Sequence, residues 1–545
     1  MTLKGLLNSQ TNRITYAAGI LFTASLAAKL LALFRDRLLA GTFGAGEQLD
    51  MYFAAFRIPD FLYNILIMGG LTAVFLPVFA QYFNKNKDEA WKVAANIFNI
   101  VFLVLIGFSV LLGIFAPFLM RLVAPGFSPE NQETAVLLTR IMFFSPILFG
   151  ASSLLSGLLQ YFGRFFAYSL APVMYNIGII IGIFYFVPLL GVIGLAWGIV
   201  FGALLHVAVQ IVPVLNSGFR WRFMLDVSHA SVSQIVKLAL PRTIGAAAYH
   251  INLIVMTAIA STLAVGSIAV FSFADNLQYV PVSLIGISFA VAAFPALSRS
   301  FAQNRTEEFA RYFSSAFSRI IFFTVPVALL VFILRAQIVR VIFGTGEFGW
   351  EATQLTAASL GVFALGIIPL ALIPLLVRSF FSMQDTRTPV VISISSVILN
   401  ILLAIFFVSV FSTTNVFSSY VISALDLTGV GDQRILALPF ALSLSALFQF
   451  SLLSIFLSQK TKRVFLPNVF ITLRNAIIAG VLTIFSAFFA LRLVPLFVSL
   501  DTFFGVLLQV GVAGTIGFLV YLVVSYLLRS QELLEIVGKL LKRNE

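Results

Sequence analysis

Apolar residues run through this chain in long blocks, broken by short polar or glycine- and proline-rich intervals. A helix needs about 20 apolar residues to cross a hydrocarbon core, and the blocks are long enough to do so. The pattern predicts helices at 15–41, 50–82, 92–121, 134–162, 168–188, 191–215, 233–263, 266–298, 309–338, 353–383, 389–411, 433–458, 468–495 and 503–529. A short amphipathic basic helix is expected over Gln531–Glu545. The expected class is an all-α polytopic membrane protein with 14 transmembrane helices.

Charge in the intervals tests that order. Intervals after even-numbered helices carry Lys85, Lys87 and Lys92, then Arg164, Arg220, Arg222, Arg299, Arg305, Arg311 and Arg387, and finally Lys460, Lys462 and Arg463. Those after odd-numbered helices carry Glu47 and Asp50, Glu130 and Glu133, Glu347 and Glu351, Asp426 and Asp432, and Asp501. Basic loops stay on the cytoplasmic side. The alternation therefore puts the N-terminus inside, and an even helix count puts the C-terminus there too. Lys4 and Arg13 before an apolar run imitate a signal peptide, but the run is long, charged and leads straight into another span. It reads as an uncleaved first helix.

Composition narrows the class further. The 545 residues are 60% hydrophobic and 10% charged, against about 25% charged in soluble proteins. Net charge is +13, which reads as loop charge and not as a nucleic-acid surface. With no cysteine there is no disulfide, thiolate metal site or cysteine nucleophile. His206, His229 and His250 lack metal-binding spacing, and no P-loop occurs. His206 and His250 read as hydrogen-bonded interior residues. Most of the 59 phenylalanines read as lipid-facing surface. No enzyme activity and no cofactor are expected.

The chain repeats itself. Phe83-Asn84-Lys85-Asn86-Lys87-Asp88-Glu89-Ala90-Trp91 aligns with Phe301-Ala302-Gln303-Asn304-Arg305-Thr306-Glu307-Glu308-Phe309 at an offset of 218, and Pro77 aligns with Pro295. Parallel six-helix repeats are a transporter plan with the substrate site between the halves. The expected domains are an N-lobe, 1–216, a C-lobe, 217–460, and a C-terminal part, 461–545, with helices 13 and 14 and the tail.

The candidate chemistry is charge at membrane depth, which is costly and usually functional. Lys29, Arg35, Asp36 and Arg37 lie in the first apolar block, and Arg57 and Asp60 in the second. Lys29 and Asp36 are seven apart and share a helix face with Ala32 and Leu33 between them. Asp36 and Asp60 would each neutralise a nearby arginine, and the remaining cation excess suits an anion. Arginine's planar fork fits phosphate or pyrophosphate. Arg37 reads as an interfacial anchor. The second half supplies Lys237, Arg242 beside Pro241, Asp275 with Gln278, and Arg378. Gly69-Gly70 suggest close helix packing, and Gly191 and Gly194 mark a turn.

These residues carry a resemblance. Lys29-Leu-Leu-Ala-Leu-Phe-Arg35-Asp36, then Phe43-Gly44, then Leu49-Asp50-Met-Tyr52-Phe-Ala-Ala-Phe56-Arg-Ile-Pro59 resemble the lipid II flippase family MurJ, also called MviN. So do Phe75-Leu-Pro77, Gly163-Arg164-Phe165, Ala171-Pro172 through Asn176, Ala274-Asp275, Phe294-Pro295 and Gln384-Asp385-Thr386-Arg387-Thr388-Pro389. The resemblance implies the MOP exporter fold, two lobes around a cavity, and a groove lined by helices 13 and 14. It implies a monomer of the bacterial inner membrane that flips lipid II, an undecaprenyl-pyrophosphate-linked peptidoglycan precursor for the cell wall, by alternating access. It implies that Arg35 matches an essential arginine with Asp36 its neighbour, and that Lys29 stands where the family usually has arginine. The candidate substrate-binding residues are Lys29, Arg35, Asp36, Arg57, Arg242, Asp275 and Arg378. The driving force would be Na+, H+ or the membrane potential. Four positions depart from the family pattern: Tyr63 and Asn276 replace cavity arginines, Met68-Gly69 replaces Glu-Gly, and Met256 stands where some members have an acid of a sodium site. The alternatives are another MOP-type exporter, for a different undecaprenyl-linked glycan or for drugs, or a non-transporting scaffold of the same fold. A cationic-drug exporter calls for an acid-rich cavity, and a scaffold for a collapsed one.

Overall fold

The computed structural model describes the backbone over residues 14–65, 71–461 and 464–541; side chains at 14–18, 72–73, 240–247, 536–537 and 539–541 lie outside that description. Outside it too fall Lys4, Arg13, Met68, Gly69, Gly70, Lys462 and Arg463, the last four residues, and the side chains of Pro241 and Arg242. Among the described residues every regular element is a helix. Among the described residues eleven helices are long and apolar enough to cross a membrane. They follow the predicted blocks from 92–121 onward, except 233–263, whose helix Ala230–Ser261 contains a shorter apolar stretch at Ala248–Ser261. The first block forms one helix, Ile14–Phe43, with its four charges inside it. The second holds Glu47–Tyr63 and Leu71–Phe83. Further predicted helices are broken, 134–162 at Phe143 and 168–188 by a π segment, Gly182–Phe186, among them. Phe115 and Leu334 end long helices before the short ones Ala116–Val123 and Arg335–Phe343, and a π-turn, Val282–Ile287, interrupts Ser267–Ala302. The interval after Phe411 holds a short helix, Val416–Ala424, capped reciprocally by Asn415 and Ser418.

Contacts divide the chain into two compact units, Met1–Ile268 and Ala269–Glu545. Helix Ala230–Ser261 packs within the first, against Glu47–Tyr63 and Leu71–Phe83. Helices Pro467–Leu493 and Phe503–Leu527 pack on each other within the second. These units follow contact, and the lobes expected from the repeat are a separate division.

Glycine sets the tightest packing in the first unit. Gly194, Gly198 and Gly202 line one face of helix Ile193–Leu215. A Cβ on Gly178 would stand 2.3 Å from the Gly202 Cα, and one on Gly182 2.5 Å from the Gly198 Cα. Helix backbones come this close in membranes only across small residues. The second unit has a close glycine approach as well, Gly286 against the Ala371 backbone, and packs a core of aromatic and branched side chains, Phe313, Phe317, Leu375, Leu376 and Phe380 among them.

The sequence repeat is visible inside each unit. Phe83 and Ala302 end helices, and new helices start at Lys87 and Thr306 after three-residue turns. Trp91 meets Phe83 edge-on at 5.9 Å, and Phe309 meets Phe301 edge-on at 6.4 Å. Pro77 and Pro295 lie inside the helices that lead to those turns. A second shared joint follows helices Phe144–Tyr161 and Trp350–Ser382. Gly163 and Gln384 both adopt positive φ, and the next amide, of Arg164 or Asp385, closes onto the carbonyl of Leu159 or Phe380. This is the left-handed cap with its six-to-one hydrogen bond.

Candidate functional site

Helix Ile14–Phe43 turns one face, Leu21, Ser25, Ala28, Lys29 and Ala32, into a cavity of about 960 Å³ in the first unit. The spacing of three and four is the helical face on which the sequence puts Lys29. Opposite stand Tyr63, Ser153, Ser156, Gln160, Tyr168 and His206. Lys29 is half-buried. The wall behind it is a hydrogen-bonded polar chain. Ser152 Oγ lies 2.6 Å from His206 Nδ1, Gln210 Nε2 donates to Ser152 Oγ at 2.6 Å, and Ser156 donates to Gln210 Oε1 at 2.9 Å. A satisfied buried network of this kind holds its members rigid.

Arg35 lies two turns along from Lys29 and is tied to its own unit. Its Nε and Nη2 donate to Asp36 Oδ1 at 2.9 and 2.6 Å, and Nη1 donates to Asn176 Oδ1 at 3.2 Å. Asn176 is oriented in turn, its Nδ2 donating to Pro172 O at 3.0 Å. Asp36 is 2% exposed. Three of the five N–H groups of the guanidinium are engaged by these partners, which fix its plane.

Arg57 donates from Nε to Thr257 Oγ1 at 2.8 Å, joining Glu47–Tyr63 to Ala230–Ser261. Asp60, expected to neutralise an arginine, instead stands 3.3 Å from His250 Nδ1 and accepts from Asn64 Nδ2 at 2.9 Å. His250 comes from the facing helix, a pairing that chain spacing does not reveal. In the second unit Gln278 donates to Asp275 Oδ1 at 2.8 Å, and Arg378 Nη1 donates to Pro374 O at 3.4 Å. Of the seven candidate residues, Lys29, Arg35, Asp36 and Arg57 are placed in the first unit and Asp275 and Arg378 in the second. Arg242 is on helix Ala230–Ser261, its side chain outside the description.

Sequence reading missed the cavity's polar wall. Its signal was present as Ser152, Ser153, Ser156 and Gln160 at helical spacing and His206 with Gln210 one turn on, but such serines are as common at helix contacts as at sites.

The sequence model of the family described as "Lipid II flippase MurJ" matches residues 39–505. The chain belongs to the MurJ lipid II flippase family. It is 28% identical over 391 residues to a probable lipid II flippase MurJ of Rhizobium tropici, covering 70% of this chain and 73% of that protein. It is 26% identical over 511 residues to a probable lipid II flippase MurJ of Buchnera aphidicola subsp. Schizaphis graminum, covering 92% and 95%. Its fold is similar to a solved structure described as lipid II flippase MurJ in an inward closed conformation, with TM-score 0.72 and 22% identity over 94% of this chain and 99% of that one. It is also similar to an inward-facing multidrug resistance MATE family transporter of the MOP superfamily, with TM-score 0.65 and 16% identity over 80% and 96%.

Tyr63 and Asn276, the positions where the resemblance leads one to expect arginine, lie in different units. Tyr63 lies in the cavity wall with its ring 5.0 Å from that of Phe149. Among the described residues that line this cavity, Lys29 is the one cation. Asn276 is half-buried in helix Ser267–Pro281. Met256 is fully buried next to Thr257, the partner of Arg57.

Proposed function

We propose that this protein flips lipid II, an undecaprenyl-pyrophosphate-linked peptidoglycan precursor, across the bacterial inner membrane by alternating access. Membership of the MurJ family over residues 39–505 carries the reading. The open cavity beside Lys29 supports it, because a scaffold would have that space filled. Six helices on each side of the repeat form the two transport lobes, and both termini are cytoplasmic, as the loop charges require. The protein works as a monomer, driven by Na+, H+ or the membrane potential.

Lys29 meets the pyrophosphate in the cavity, and Arg35, held in plane by Asp36 and Asn176, presents its remaining N–H groups. Arg57 and Arg242 of the first unit, and Asp275 and Arg378 of the second, are the further candidate substrate-binding residues. The isoprenoid tail travels along helix Phe503–Leu527, where Phe504, Leu508, Val512 and Ile516 line an open apolar hollow of about 770 Å³. The test is rescue of a flippase-depleted bacterium. The double variant Lys29→Ala and Arg35→Ala is expected to be expressed in the membrane and to fail to rescue growth. Normal rescue overturns the site.

A further inference from the structure

Each unit contains a further cavity that shares no lining residue with the Lys29 cavity, and the two are built from repeat-related positions. The first, of about 590 Å³, is lined by Pro117 and Arg121 of one short helix and by Pro129, Gln132, Glu133 and Val136 of the next helix. The second, of about 460 Å³, is lined at the corresponding places by Ala336 and Arg340, then Trp350, Thr353, Gln354 and Ala357. Each pair stands at nearly the offset of the sequence repeat. Both cavities have volumes suited to a small polar ligand.

A second arginine enters each cavity by a different route. In the first unit Arg140 donates from Nε to Gly113 O at 3.0 Å. In the second, Arg335 donates from Nη1 to Phe332 O at 3.0 Å. Gly113 and Phe332 are repeat-related carbonyls, near the ends of helices Lys87–Ile114 and Thr306–Ile333. The arginines are not repeat-related. Gly361 occupies the place of Arg140, and a Cβ there would press to 2.6 Å on Arg335 Cδ. Ala116, fully buried, occupies the place of Arg335. A guanidinium is thus kept at one point in space while the residue that supplies it changes. Packing alone does not require that, since either position accepts a small apolar residue. Arg121 and Arg340 have no side-chain partner among the described residues. One carboxylate, Glu133 or Asp426, lines each cavity as well.

Both cavities open at the ends of helices that cross the membrane, with apolar walls such as Phe127 and Leu137 or Leu425 and Val506. That is headgroup depth. We propose that each unit binds a phospholipid headgroup there, at Arg121 and Arg140 in the first and at Arg335 and Arg340 in the second. The guanidinium pair holds the phosphodiester, and Glu133 or Asp426 faces the ammonium of an ethanolamine headgroup. The assignment is independent of the cargo, because none of these residues lines the Lys29 cavity.

Native mass spectrometry of the delipidated full chain tests it, with dioleoyl-phosphatidylethanolamine, dioleoyl-phosphatidylglycerol, dioleoylglycerol and inorganic phosphate as probes. Two phosphatidylethanolamines per chain are expected to survive activation. Arg121→Gln and Arg340→Gln should each weaken one of them about tenfold or more, the loss of a charge-assisted hydrogen-bonding group, at unchanged melting temperature. Glu133→Gln should narrow the preference for phosphatidylethanolamine over phosphatidylglycerol. Equal retention of dioleoylglycerol, or unaltered lipid binding by the double variant Arg121→Gln and Arg340→Gln, overturns the proposal. Displacement of the lipid by inorganic phosphate at equal concentration overturns it in favour of a free-anion site.

Discussion

Replacing Gly178 by alanine should separate helix Phe165–Ile181, which carries Arg35's partner Asn176, from its neighbour. The new Cβ would stand 2.3 Å from the Gly202 Cα and 2.7 Å from the Gly202 nitrogen. Carbon atoms in contact sit roughly 3.5–4.0 Å apart, so helices Phe165–Ile181 and Ile193–Leu215 must part by about 1 Å. Both obstacles are backbone, which no rotamer change relieves. Alanine gains up to about 1 kcal/mol of helix propensity over glycine, while overpacking costs about 1–3 kcal/mol or more. A net loss of about 2 kcal/mol is expected, with the lost dispersion along the glycine face included. The shift also strains the 3.2 Å bond from Arg35 to Asn176 on the same helix. Gly107→Ala is the control, because a Cβ there meets nothing within 4 Å. Thermal unfolding of the purified protein, followed by tryptophan fluorescence, should show Gly178→Ala melting several degrees below the parent. Gly107→Ala should melt at or above it. Equal melting of Gly178→Ala and Gly107→Ala refutes the close-approach argument.

Asn176→Ala removes one of the two anchors of Arg35 and costs about 1 kcal/mol of stability. Its effect on growth rescue should exceed its effect on expression, because the guanidinium loses its orientation; parallel losses of both would contradict the positioning role. Asp385, in the turn after Ser382, gives a pH signature. Burial pushes its carboxyl up, but hydrogen bonds from Lys460 and Thr388 outweigh burial and hold it down at about 2. A depressed folded-state value means stability that is fully present above about pH 4 and is lost as pH falls toward 2. Lys460 is half exposed and the pair is screened, so the amount is below about 1 kcal/mol. Melting temperature measured from pH 6 to 2 should fall more steeply for the parent than for Asp385→Asn, and parallel curves would exclude the pair as the cause.

The apolar blocks by themselves determined the helical class and the order of the helices, because a chain in hydrocarbon must close its hydrogen bonds locally. The repeat was equally legible: its turns at Asn84–Asn86 and Gln303–Arg305 depend on residues near one another in sequence. Lys29 was legible too, since a helix face follows from spacing alone. What tertiary structure decided was partnership. Among the described residues Asp60 pairs with His250 and Arg57 reaches Thr257, because those helices pack side by side. The cavity wall of Ser156, Gln160 and His206 exists because helices Phe144–Tyr161 and Ile193–Leu215, far apart in sequence, pack on each other. The exchange of Arg140 for Arg335 is invisible in an alignment of the repeats, where arginine meets glycine in one place and alanine meets arginine in the other. It appears only when the two guanidiniums are seen to reach repeat-related carbonyls, Gly113 O in one unit and Phe332 O in the other.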